Sequence, residues 1–120
     1  MLTSRIAELL GAKPLFIGSE ENLAADFTSA FATDLMSDAL AMIQTDPEHT
    51  LLLTGLCNPQ SLRTAEMLDL RTIVFVRGKH PVNECLELAG QMDLNLFTTP
   101  LTMYEACGIL YGAGLGGIER

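Results

Sequence analysis

The chain has 120 residues, about half of them hydrophobic, and a net charge of −8. That length and composition give one domain with a real core and exclude disorder. Seven basic against fifteen acidic residues argue against nucleic acid and against anionic membrane as partners, since both are bound by clustered Lys and Arg.

Leu2–Leu10 reads as a first helix, with Thr3 or Ser4 as its cap, Leu2, Ile6, Leu9 and Leu10 along one side, and Gly11 closing it. Pro14–Ile17 is a short strand ended by Gly18, and Ser19–Asn22 a polar turn. Asp26–Ala32 alternates, with Phe27, Ser29 and Phe31 on one face, and is expected as a strand; the one before it is a partner within reach, across a stretch too long for a tight hairpin. Asp34–Ile43 is helical and apolar over most of its surface, so it is expected to be well buried, and Gln44–His49 is a loop.

Three strand–helix units follow. Thr50–Thr54, Thr72–Val76 and Leu94–Thr98 are apolar runs about a strand long, each leading through a polar or Gly/Pro turn into a helical pattern. Such units give parallel strands with crossover helices. The helix after the first is Pro59–Leu68, with Asn58 at N-cap and Pro59 at N1. The next begins near Pro81–Asn83 and runs to about Gln91. The last has Thr102 at N-cap and Glu105 three residues on, a capping box, and ends at Tyr111-Gly112. The Gly-rich run 112–117 has no helix after it and is expected as a flexible tail. The expected fold is an α/β domain, residues 1–120, with a mixed sheet, largely parallel in its second half.

In open α/β sheets ligands gather at the strand C-terminal ends. Here those ends carry Thr54, Gly55 and Asn58, then Arg77 with Gly78, Lys79 and His80, then Thr98 and Thr99. A Gly turn opening a helix presents backbone N–H groups suited to a phosphate or carboxylate, although no GxxxxGK[ST] is present. Asp34, Ser37 and Asp38, three and four residues apart, share a helix face and offer an oxygen-rich edge, with no third ligand for a metal. Each cluster also has a plain structural reading, as a helix cap or a solvated loop.

No apolar run approaches the ~20 residues of a membrane span, and Met1–Ile6 has no apolar core of a signal peptide, so the chain is expected in the cytoplasm. Cys57, Cys85 and Cys107 are odd in number and lack CxxC spacing, so they read as small buried hydrophobes. A nucleophilic Cys57, its thiol acidified at a helix N-terminus with His80 as base, is the thiol-enzyme alternative. Six Met and a high aliphatic content favour a homodimer that hides apolar surface.

The phrases at residues 30–40 (AFATDLMSDAL), 51–60 (LLLTGLCNPQ), 63–70 (RTAEMLDL), 72–81 (TIVFVRGKHP) and 98–110 (TTPLTMYEACGIL) stand in one order. Together they resemble stand-alone DRTGG-domain proteins over nearly the whole chain. The resemblance implies a three-layer-like α/β domain similar to the N-terminal domain of HPr kinase/phosphorylase. It also implies an accessory, dimer-forming regulatory module without catalysis or cofactor, of the kind found beside CBS domains in regulatory pyrophosphatases. Small relatives linked to iron-only hydrogenase gene sets imply a partner enzyme as the alternative. The name-giving Asp-Arg is replaced by Asn58-Pro59, and Val76-Arg77-Gly78 matches Thr-Gly-Gly loosely. The resemblance stops before the kinase domain, so it implies no phosphotransfer. The reading at this point is a homodimeric regulatory module binding a small anionic ligand through Asp34, Ser37, Asp38, Thr54, Gly55, Asn58, Arg77, Thr98 and Thr99. A pure interaction protein and a small enzyme using Cys57 or the Asp34/Asp38 pair are the rivals.

Overall fold

A computed structural model describes residues 1–119. The elements in chain order are α1 (Thr3–Leu10), β1 (Lys13–Ile17), β2 (Ser29–Ala32), α2 (Met36–Met42), β3 (Thr50–Thr54), α3 (Pro59–Met67), β4 (Thr72–Phe75), α4 (Asn83–Gln91), β5 (Asn95–Thr98), α5 (Met103–Gly112) and β6 (Gly116–Gly117). Short 3-10 turns occupy Glu21–Ala24 and Pro47–His49. The six strands form one mixed sheet in the order β1-β5-β4-β3-β2-β6. Only β1 runs against its neighbour, β5; every other pairing is parallel.

The central strands are apolar without a break because both faces are covered. Leu52, Ile73, Phe75 and Leu96 face one way and pack with Ala39, Ile43, Leu62, Ala65, Cys85 and Ala89 of the α2, α3 and α4 layer. Leu51, Leu53, Val74, Val76 and Phe97 face the other way and meet Ile6, Leu10, Ala106 and Leu110 of α1 and α5. The result is the expected three-layer α/β arrangement with a mixed, largely parallel sheet.

The helix signals in the second half hold. Asn58 Oδ1 accepts from the Ser61 N–H at 3.3 Å. The Thr102 hydroxyl accepts from the Glu105 N–H, while Glu105 Oε1 takes the Thr102 N–H at 3.2 Å. Both αβ turns after α3 and α4 place an aspartate, Asp69 or Asp93, in the left-handed region, a conformation Asp tolerates.

The first half departs from expectation. The ladder of β2 is confined to Ser29–Ala32 and runs parallel to β3, four strand positions away from β1. The alternation resets before Ser29, so Phe27 packs with the α1/α5 layer and Phe31 with the other. At α1 the N-cap is Leu2, with no side-chain cap, and Thr3 is turned into the sheet. The Thr3 and Thr72 hydroxyls are buried without a hydrogen-bond partner, and both residues line one small internal void beneath α1. Helix α2 starts only at Met36 and buries Met36 and Ala39, with Ile43 just beyond it. Leu35, Leu40 and Met42 stay exposed, so it is half buried rather than well buried. A helix of seven residues has too few turns to bury more than one stripe. The Gly-rich run closes α5 at Gly112 and ends in the two-residue strand Gly116–Gly117 rather than in a loose tail. Gly114, with φ 105°, turns the chain back, Leu115 is buried, and Gly116–Gly117 pairs with Ser29–Ala30.

Candidate functional site

Strands β3 and β4 end side by side, and their turns bring three residues together with one from the β2–α2 loop. The Gly55 N–H donates to Asp34 Oδ1 at 2.6 Å. The Thr54 hydroxyl lies 3.5 Å from the same oxygen and accepts from the Leu56 N–H at 3.0 Å. Arg77 Nη2 lies 3.9 Å from Asp34 Oδ2. A Cβ on Gly55 would run into Arg77 Nη2 and come within 3.2 Å of Asp34 Oδ1, so glycine is what lets the guanidinium lie over the turn.

Arg77 is held there by its backbone. Its φ is 61° and that of Gly78 is 66°, and a long side chain in the left-handed region is uncommon outside strained, over-determined positions. What fixes it is the chain after β5. The Arg77 N–H donates to Leu101 O at 2.7 Å and the Gly78 N–H to Thr99 O at 2.8 Å. The Arg77 and Asp34 side chains are 51% and 56% exposed, so their attraction contributes only about 0–1 kcal/mol. The guanidinium is therefore positioned chiefly by the backbone.

The other expected residues are placed differently. Asn58 is close in sequence, but its side chain is spent as the cap of α3. Ser37 and Asp38 lie exposed on α2, and Asp34 precedes that helix, so the three do not share a helix face as expected. Thr98 and Thr99 turn inward. The Thr98 hydroxyl donates to Lys79 O at 2.9 Å, and the fully buried Thr99 hydroxyl donates to Leu10 O at 2.6 Å. Their first partners are backbone carbonyls of the fold.

Cys57 is half buried, and burial pushes its thiol up to about 11. Desolvation outweighs any help from the helix end, so the thiol is protonated at neutral pH, which goes against the thiol-enzyme alternative and with the reading of Cys57 as a small buried hydrophobe. Cys85 is fully buried and Cys107 half buried; burial raises both thiols as well. Among the described residues no group of three or more His, Cys, Asp or Glu could hold a metal.

Two of the clefts outside this cluster carry charged or titratable side chains. One, of roughly 240 Å³, is lined by Gly11, Lys13, Gly78, His80, Thr98 and Pro100. A larger open one, roughly 440 Å³, sits at the opposite edge, where Glu21, Glu48, His49, Arg71 and Asp93 are among its walls. His49 is bonded through Nδ1 to Asp46 Oδ1 at 2.6 Å, and that bond raises its pKa. The sequence reading passed over this edge because it lies at the strand N-terminal ends, where periodicity marks nothing but loops.

No family model matches the chain, and no curated protein matches it. A solved structure does match: the CBS and DRTGG domains of the regulatory region of the Clostridium perfringens pyrophosphatase, complexed with its activator diadenosine tetraphosphate. The TM-score is 0.71 over 91% of this chain, at 16% identity. This chain spans 45% of that chain, about half its length. The fold is thus shared with part of a regulatory region that contains a DRTGG domain, in keeping with the family resemblance. No helix among the described residues is long and apolar enough to cross a membrane.

Proposed function

We infer that the chain is a non-enzymatic regulatory or assembly module that works as a homodimer and takes a small anionic ligand, a nucleotide or phosphorylated metabolite, at the β3 and β4 ends. The observation that carries this reading is Arg77, held by left-handed backbone over the Gly55 turn with half of its side chain open to solvent. A guanidinium beside a turn whose N–H already holds a carboxylate oxygen is an oxyanion-binding element. Part of a regulatory region that takes a dinucleotide activator has the same fold.

The test is a thermal-shift screen of nucleotides and phosphorylated metabolites on wild type and Arg77→Ala together. A ligand at a hundred times its Kd stabilises by about 2.7 kcal/mol, a shift of several degrees in a domain of this size. The expected result is a saturable rise in Tm that Arg77→Ala abolishes. A rise that survives the substitution removes Arg77 from the site.

The dimer has its own support. Helix α5 is apolar nearly all round, yet Tyr104 and Tyr111 are 88% and 75% exposed, with Ile109 open beside them. Residues 106–118 contain no charged side chain. Two chains of net charge −8 meet at least cost where neither carries charge. A shallow groove between α5 and β2, floored by Ala30, Ala32 and Leu53, continues this face. A second copy is the occupant this reading assigns. Ile109→Glu with Tyr111→Glu is expected to halve the mass measured by light scattering while leaving Tm of the monomer in place. An unchanged mass moves the interface elsewhere, and a monomeric wild type leaves the face to a partner enzyme.

A further inference from the structure

The strand-edge site already has an anion in it, supplied by the chain. The Gly55 N–H is the donor an incoming oxyanion would use, and Asp34 Oδ1 occupies it at 2.6 Å. The Thr54 hydroxyl approaches the same oxygen at 3.5 Å, and Arg77 Nη2 approaches the second oxygen at 3.9 Å. One carboxylate thus meets a backbone N–H, a hydroxyl and a guanidinium, which is the donor set that oxyanion recognition requires.

We propose that Asp34 is the resident, displaceable anion of this site, and that a phosphate group binds at Gly55 and Arg77 by taking the place of the Asp34 carboxylate. The proposal rests on the reading above that the ligand binds at this edge.

Three observations make the carboxylate an exchangeable occupant rather than a fixed part of the fold. Asp34 lies in the loop between β2 and α2, outside both elements. Its side chain is 56% exposed, so on release it returns to water without a desolvation cost. Its attraction to Arg77 is long and solvent-screened. A ligand phosphate and the Asp34 carboxylate cannot share the Gly55 N–H, and like charges in one site repel, so binding and release are one event.

Two consequences follow from the geometry. First, the resident carboxylate lowers the apparent affinity by the fraction of time it holds the site, which raises the ligand concentration needed for half-saturation. Second, Asp34 ties the β2–α2 loop to the β3 turn. Its release loosens the segment entering α2, which then keeps only the Thr33 anchor, its N–H donating to Leu53 O at 3.1 Å and its hydroxyl accepting from the Leu35 N–H at 3.0 Å. The helix it enters has seven residues, no side-chain cap at Leu35, and Leu35, Leu40 and Met42 exposed. Ligand arrival at Gly55 is therefore transmitted to an apolar helix face next to the site.

The test is an amide NMR titration of the full chain with inorganic phosphate at constant ionic strength, on wild type, Asp34→Ala, Asp34→Asn and Arg77→Ala. The Asn variant keeps the shape of the side chain and guards against a loop that fails to fold with Ala. The Gly55 amide is expected to reach its midpoint at about tenfold lower phosphate in Asp34→Ala than in wild type, the worth of one charge-assisted hydrogen bond. In wild type the amides of Leu35 to Asp38 are expected to move with the same midpoint as Gly55. Equal midpoints in wild type and both Asp34 variants overturn the displacement and leave the ligand site standing. A Gly55 amide that phosphate moves in none of the four proteins overturns the site itself, and the displacement with it.

Discussion

The turns after β4 and β5 are neighbours at one sheet edge, and both were expected to line a ligand site, yet they use their polar groups in opposite ways. After β5 the chain turns inward: Thr98 and Thr99 give their hydroxyls to Lys79 O and Leu10 O. After β4 it turns outward: Arg77 stands in left-handed backbone with its guanidinium over Gly55. A small hydroxyl near an unpaired carbonyl is cheap to bury once bonded, whereas a guanidinium is costly to bury without a close partner. The inward turn supplies the carbonyls of Thr99 and Leu101 that hold the outward one. One turn is the frame, and the other is what the frame presents.

The largest expected effect tests the frame. Thr99→Val keeps shape, removes the hydroxyl and leaves Leu10 O without this donor in a fully buried place. The expected cost is about 1–3 kcal/mol in urea unfolding. A change within a few tenths would mean that the inward turn is not what secures α1 to β5. Next comes the cap that starts α5 from the same turn. Thr102→Ala removes one half of the reciprocal capping box and should cost about 1 kcal/mol.

The outward turn should respond with the opposite sign. Arg77→Gly relieves about 1–2 kcal/mol of left-handed strain and gives back roughly 0.5–1 kcal/mol in unfolded-chain entropy. The lost ion pair is half exposed and subtracts little. The expected net is a gain below about 1 kcal/mol, read as a small rise in Tm, together with loss of any anion-dependent shift. A marked fall in Tm would make Arg77 part of the frame and erase the contrast.

This contrast also sorts what could be read from the residues. Strands β3, β4 and β5 were legible to within a residue, because unbroken apolar runs ending in Thr-Gly, Arg-Gly or Thr-Thr-Pro have few other uses. The caps at Asn58 and Thr102 were legible because both partners lie within three residues. Of the residues expected to line a ligand site, Asp34, Gly55 and Arg77 are brought together at one strand edge. Thr99 was misjudged because its partner, Leu10 O, lies far away in sequence, and no local pattern encodes it. The parallel partner of β2 was missed for the same reason, and β6 because two glycines carry no side chains that could signal a strand. Leu35, Leu40 and Met42 are exposed because α2 begins only at Met36 and buries one stripe, through Met36 and Ala39, and composition does not say which stripe that is.

The smallest effects are two titrations of opposite sign, one at each edge of the sheet. At the α5 cap the Thr102 N–H, and then its hydroxyl, hold Glu105 below its ordinary value of 4.5. A carboxyl with a lowered folded pKa contributes stability above its unfolded pKa and loses it as pH falls through the folded one. The opposite edge carries His49, raised from 6.5 first by its bond to Asp46. A raised histidine contributes fully below the unfolded pKa, and the contribution disappears as pH rises through the folded one. Both groups lie at the surface, so each step is small and fades with salt. Tm measured across pH should therefore fall on the acid side in a way that Glu105→Gln flattens, and decline gently above about pH 6.5 in a way that His49→Asn removes. The acid limb keeps a residue in Glu105→Gln, because the Met1 ammonium also holds Asp26 low. If Glu105→Gln leaves the acid limb untouched, the cap contributes through Thr102 alone and the frame of the inward turn is uncharged.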